Sequence, residues 1–267
     1  MGLRVSLRAK LVRVVEEVVA RQQARQAEEL RRELDALRAD FRAEADRVIE
    51  FARGVEIRDR RDLFAAGERA AAAESAEFAR VEMAAARAFP SPVATLEHAL
   101  TLVDGPGMAL EFGVATGTTL KIIAAGCAEA GREVYGFDSF AGLPEDWRPG
   151  FPTGAFGVPA PPDVPGAELV VGLFDDTLPG FLAEHPGPVA FLHVDADLYS
   201  STRTVLELVG PRLRPGSVIV FDEYFNYPGW KEHEHRAWRE YVAESGARFR
   251  YEGYTLDNEQ VTVRILD

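Results

Sequence analysis

Past Pro90-Ser91-Pro92, short apolar runs that each stop at a glycine or an aspartate alternate with segments of helix length. No other feature restricts the fold as strongly. Met108–Phe112 stops at Gly113, Val134–Phe137 at Asp138, Leu169–Val171 at Gly172, Val189–Val194 at Asp195 and Ser217–Phe221 at Asp222. Helical stretches fall at 118–130, 199–213 and 229–245, and two further strands near 247–254 and 260–266 close the chain. Such βαβ alternation predicts an α/β fold: a doubly wound, mostly parallel, seven-stranded sheet with an antiparallel edge. In these sheets ligands bind beyond the carboxyl ends of the strands, where the polar residues cluster.

The segment before this boundary has another texture. Residues 1–88 contain no proline and are rich in Ala, Arg, Glu and Leu, which predicts helix throughout. Leu30, Leu34, Leu37, Phe41, Ala45 and Val48 recur every three or four residues as an apolar stripe. The division is therefore a helical arm at 1–88 and a main domain at 89–267. A break is expected at Gly54, with helix resuming near 65. The stripe implies packing on the main domain or on a second copy, hence a homodimer. A coiled coil wants three or four sustained heptads, which this stripe alone does not supply.

The net charge of −13 lies almost wholly in the main domain, because residues 1–88 carry 18 basic and 17 acidic side chains. A main domain this acidic offers no cationic track for phosphates, so nucleic acid is excluded as a partner. No long uncharged apolar run suits a membrane span. The single cysteine, Cys127, precludes an internal disulfide and suits the cytoplasm; its place in a helix reads as core. Residues 145–167 are rich in Pro and Gly and carry Trp147, Phe151 and Phe156. A loop of this length is a lid over a site or a plain surface loop.

The strand ends carry the chemistry. The turn EFGVATGTT (111–119) opens a helix whose first N–H groups can receive an anion, yet it lacks the full dinucleotide glycine spacing and a P-loop lysine. Asp138 ends the next strand, 27 residues past Glu111, about where an acid meets ribose hydroxyls. Asp195, Asp222 and Glu223 end adjacent strands, so three carboxylates converge. Like charges in one cleft require a proton or a cation, and an all-oxygen set suits Mg²⁺. Asp197 is expected to cap the helix at Tyr199. His193 is read as buried and hydrogen-bonded, and His185 as solvent-facing. His233 or His235 lines an acceptor pocket or serves as base. Tyr224, Phe225, Tyr227 and Trp230 either stack on an acceptor or pack the loop itself.

Five stretches, EFGVATGTT, YGFDSFAGLP (135–144), GLFDDTLP (172–179), HVDADLYSST (193–202) and VIVFDEY (218–224), together resemble the macrocin O-methyltransferase family over roughly residues 90–267. That resemblance implies a Rossmann-like class I fold and a cytoplasmic, S-adenosylmethionine-dependent enzyme that methylates sugar hydroxyls of antibiotics or other glycosylated small molecules. It implies Glu111, Gly113 and Gly117 at the methionine end of the cofactor, with Thr118 opening the helix beside them. It places Asp138 and Ser139 at the ribose and Phe174 and Asp175 at the adenine. Asp195 resembles the metal ligand and general base, with Asp222 and Glu223 completing the metal set and His233 as a second catalytic candidate. The family often has Asp-Asp where this chain has Asp222-Glu223. A catechol-type methyltransferase is the competing enzyme reading. A non-catalytic scaffold that keeps the fold is the other, and an NAD-dependent oxidoreductase fits the glycine spacing poorly.

Overall fold

A computed structural model describes residues 2–266, with side chains from residue 12 onward. The chain divides into two compact units, residues 1–66 and 67–267. That division lies upstream of the compositional boundary at Pro90.

The first unit is dominated by α1 (Gly2–Arg61). Gly54 does not break it, and a Cβ placed there would touch nothing. One glycine costs a long helix only about 1 kcal/mol. The break comes at Asp62, whose Oδ1 accepts from Phe64 N (3.0 Å) and Ala65 N (3.1 Å) and so caps α2 (Leu63–Glu82).

The second unit begins within α2, where Ala71, Ser75 and Met83 (just past the helix) are buried. Its order is β1 (Arg87–Phe89), α3 (Pro92–Thr101), β2 (Met108–Phe112), α4 (Thr118–Ala128), β3 (Val134–Asp138), β4 (Glu168–Val171), α5 (Phe174–Glu184), β5 (Val189–Val194), α6 (Tyr199–Val209), β6 (Leu213–Phe221), α7 (Glu234–Ser245), β7 (Phe249–Thr255) and β8 (Val261–Ile265). The strands form one sheet, ordered β1-β7-β8-β6-β5-β2-β3-β4, in which β8 runs antiparallel to both neighbours. The sheet has eight strands rather than seven. The added strand, β1, lies inside the stretch read as helix; it pairs with β7 and buries Phe89.

Alternation along the strands fills two apolar layers. Leu110, Phe112, Leu192, Val194, Ile219 and Phe221 face α5, α6 and α7, whose Leu178, Val205 and Trp238 cover them. Ala109, Phe191, Val218 and Val220 face the other way, against Leu96, Leu120, Ile123 and Cys127. Glu111 and His193 pair in register on that second face, one residue short of the strand ends. No helix among the described residues is long and apolar enough to cross a membrane.

Candidate active site

The ends of β2, β3, β5 and β6 are stitched together beyond the sheet. Gly113 N donates to Phe137 O (2.9 Å), Asp195 N to Phe112 O (2.8 Å) and Asp222 N to Val194 O (2.8 Å). Gly113 has φ +93°, and a Cβ there would come within 1.7 Å of the Asp195 carbonyl oxygen, so only glycine permits this approach. Asp138 fixes the next turn: its Oδ2 accepts from Val114 N and Ala115 N (both 2.8 Å), and its Oδ1 accepts from Phe140 N (2.7 Å). The carboxylate thus holds two strand ends and keeps acceptor capacity on Oδ1.

Above these turns lies a cavity of about 590 Å³. Gly113, Ala115, Asp138, Ser139, Phe174 and Asp175 line it together with Asp195, Asp197 and Glu223, and with Leu143, Trp147, Arg148, Phe151 and Phe156 from the long loop. Ala115 (φ +43°), Asp197 (+58°) and Phe156 (+65°) line it in left-handed conformations, a strain typical of sites where position matters more than backbone comfort.

One oxygen each from Asp195, Asp222 and Glu223 lies within 4.8 Å of the others. Burial, then the charge of Asp222, holds the Asp195 carboxyl well above its ordinary range, and burial with Asp195 does the same to Glu223. Burial works to raise Asp222 as well, but bonding to His193 outweighs it and keeps Asp222 low. His193 is buried, with Nδ1 2.9 Å from Glu111 Oε1 and Nε2 3.5 Å from Asp222 Oδ1. Burial disfavours its charge, yet the two carboxylates prevail and raise it well above the usual histidine value. Glu223 Oε2 is buried without a hydrogen-bond partner. An all-oxygen set with one orphaned carboxylate oxygen fits a hard divalent cation. Glu223 joins the set despite its extra methylene.

Several residues singled out in the sequence stand elsewhere. Glu111 does not line the cavity, because its side chain points beneath the sheet end to His193. Gly117 is covered by Pro162 and Val164, whose side chains a Cβ there would meet at 3.0 and 2.8 Å. Thr118 is exposed, its hydroxyl 3.1 Å from that of Thr116. Asp222 stands beside the lining residues rather than among them. His233 also lies off the cavity lining, its ring 6.4 Å from Trp147 and 6.0 Å from Tyr227; burial lowers its pKa. His235 sits against Trp230 (4.7 Å) and Tyr224 (5.1 Å), and burial pushes it down to about 4. Phe174 and Asp175 form the first turn of α5.

Two local expectations, at Asp197 and His185, are corrected, and the choice left open for the aromatic run is decided. Asp197 does not cap α6: its backbone is left-handed, Leu198 takes the cap position, and burial pushes the Asp197 carboxyl up to about 7. Tyr224, Phe225, Tyr227 and Trp230 are buried core and pack the loop itself. His185 is half-buried, stacked on Phe181 at 4.2 Å.

Three contributors carried no sequence signal strong enough to single them out. Glu234 opens α7, is fully buried, and its Oε2 accepts from Glu223 N (3.0 Å). Gln260 Nε2 donates to Asp222 Oδ2 (3.1 Å). The Arg148 guanidinium lies 3.9 Å from Trp147, 4.6 Å from Tyr227 and 5.2 Å from Phe151, and donates to both Glu259 oxygens (3.2 and 3.3 Å). It ties the long loop to the turn between β7 and β8. The loop is therefore an ordered wall of the cavity.

Residues 110–224 match a family model described as a methyltransferase domain. A Streptomyces olivaceus protein, 8-demethyl-8-(2,3-dimethoxy-alpha-L-rhamnosyl)-tetracenomycin-C 4'-O-methyltransferase, is 31% identical over 147 residues, covering 46% of this chain and 55% of that one. The chain thus spans about half the length of this curated relative. The crystal structure of the calicheamicin methyltransferase CalS11 superposes with a TM-score of 0.54 at 28% identity, covering 64% of this chain and 77% of that one. The O-methyltransferase NovP shares the fold, with a TM-score of 0.51 at 22% identity over 66% and 79% of the two chains.

Proposed function

We propose that this chain, which carries a methyltransferase domain on the class I fold, is an S-adenosylmethionine-dependent O-methyltransferase acting on a sugar hydroxyl of a glycosylated small molecule. One observation carries the reading: a single cavity is lined by a glycine turn and a ribose-type carboxylate together with Asp195 and Glu223 of the three-carboxylate set. The name of one similar protein, a rhamnosyl-tetracenomycin 4'-O-methyltransferase, agrees with a sugar acceptor.

In this reading Gly113, Ala115, Asp138 and Ser139 hold the aminoacyl and ribose parts of the cofactor, and Phe174 and Asp175 its adenine. S-adenosylmethionine, when bound, supplies a methyl group already activated on a sulfonium. The chain's task is to align an acceptor oxygen and remove its proton. Asp195, which lines the cavity, is the group that takes that proton. Trp147, Phe151 and Phe156 wall the acceptor side and exclude water. A divalent cation, Mg²⁺ by its ligand type, would be held by Asp195, Asp222 and Glu223 and would lower the acceptor hydroxyl pKa. The enzyme acts in the cytoplasm as a homodimer, without nucleic acid; Arg148, the cation on the cavity wall among the described residues, is already paired with Glu259.

Calorimetric titration with S-adenosylmethionine and S-adenosylhomocysteine tests the cofactor site. Micromolar binding is expected, about tenfold weaker in Asp175→Ala, whose exposed carboxylate reaches the cavity without supporting the fold. Asp138→Ala is a poorer probe because it also releases three backbone N–H groups. No binding by the wild type in any condition would end the proposal. The metal site has its own test. Saturating Mg²⁺ at pH 8 should raise the melting temperature by roughly 5–10 °C at a hundredfold excess over Kd, and Glu223→Gln should abolish most of that rise. Equal shifts in the two proteins would remove Glu223 from the ligand set.

A further inference from the structure

Because α1 runs unbroken through Gly54 to Arg61, its apolar stripe continues past Val48 to Phe51 and Val55. In heptad register Leu34, Phe41, Val48 and Val55 occupy a positions, and Leu30, Leu37, Glu44 and Phe51 occupy d positions. Seven of these eight are apolar across 26 residues, nearly four heptads. All seven are exposed in this chain, from 44% at Leu34 to 76% at Phe41. A seam of this length and period is what a two-stranded coiled coil buries. Left open, it is an exposed apolar patch of the kind that marks an interaction surface.

We infer that residues 30–55 form an antiparallel coiled coil with a second copy of this chain. Charge selects both partner and direction. In a parallel pair each Glu44 faces its own counterpart inside the seam, placing two carboxylates in one apolar layer. The antiparallel alignment that sets a against d places Glu44 against Phe41 of the second copy, and Leu34 against Phe51. That alignment also brings Asp40, at g, beside Arg47 of the second copy, twice by symmetry; a parallel pair sets Asp40 against Ala45 instead. A self-complementary surface with a twofold axis closes as a dimer. The inference rests on the homodimer reading and names the surface that makes it.

Sedimentation equilibrium of the full chain tests both. The wild type should sediment at twice the 29.3 kDa chain mass. Leu37→Glu/Phe41→Glu, changed only at exposed positions, should be monomeric, with calorimetric cofactor binding as the check that the second unit is folded. Asp40→Arg should raise the dimer dissociation constant about fivefold, and Asp40→Arg/Arg47→Asp should restore it. A monomeric wild type would overturn the homodimer and the coiled coil together. A dimer that persists in Leu37→Glu/Phe41→Glu would keep the homodimer and overturn the coiled coil. Asp40→Arg without effect would overturn the antiparallel arrangement.

Discussion

Asp195→Asn is expected to slow methyl transfer about 10³-fold while changing cofactor affinity by no more than a few-fold. The substitution is isosteric, and the backbone bond from residue 195 to Phe112 O does not depend on the side chain. What it removes is the capacity to take a proton where the cavity meets the carboxylate set. A pH profile separates this role from simple disruption. Burial and the nearby Asp222 raise the Asp195 carboxyl above its ordinary value, so its basic form is lost as pH falls through that raised value. The wild-type kcat/KM should therefore show an acid limb of unit slope lying above the normal carboxylate range. Added divalent cation should move the limb to lower pH, and the asparagine variant should lack it. Single-turnover rates on a glycosylated acceptor would show this directly. A variant within tenfold of wild type would remove Asp195 from the chemistry.

The strand ends were legible in the sequence because each is a change of physical phase. An apolar run buried in a parallel sheet stops where the chain leaves the sheet, and Asp138, Asp195 and Asp222 mark those exits. Convergence of Asp195, Asp222 and Glu223 followed from topology, since β5 and β6 pair in register. Residues that act through packing were not legible. Glu234 looks like any acidic first-turn residue of a helix, and only the tertiary fold turns it inward to Glu223. Arg148 and Glu259 lie 111 residues apart and meet only once the loop folds across the cavity. The same limit explains Gly54 and Asp197. A glycine weakens a helix without ending it, while the cap that does end α1 depends on how Asp62 is oriented. An aspartate before a helix caps it only with extended backbone, and at Asp197 φ is +58°.

His193→Leu should be the most damaging substitution outside the cavity, costing about 3–5 kcal/mol near neutral pH. Glu111 is fully buried, and His193 is the cation that faces it. For a unit of this size that loss corresponds to a fall in melting temperature of roughly 6–20 °C. The cost should depend on pH in a specific way. Without a counter-charge Glu111 must take a proton to stay buried, which costs about 1.4 kcal/mol per pH unit above its ordinary value of 4.5. The wild type shares this cost only up to the value Glu111 keeps beside His193, which burial still holds above 4.5, and is flat from there until His193 titrates. A histidine raised in the folded state gives its full stabilisation below the unfolded value of 6.5, then loses it as pH rises through the folded value. The deficit of the variant should therefore widen from that raised Glu111 value up to about pH 6.5 and hold level above that. Adding Glu111→Gln removes the group that must be neutralised, so the stability of the double variant should carry no pH dependence from this pair, and its deficit should narrow above about pH 6.5 as the wild type loses the His193 contribution. Thermal melts of the three proteins from pH 5 to pH 8 decide the matter. A deficit in His193→Leu that does not widen below pH 6.5 would mean that Glu111 is already protonated in the native fold, and that His193 holds Asp222 alone.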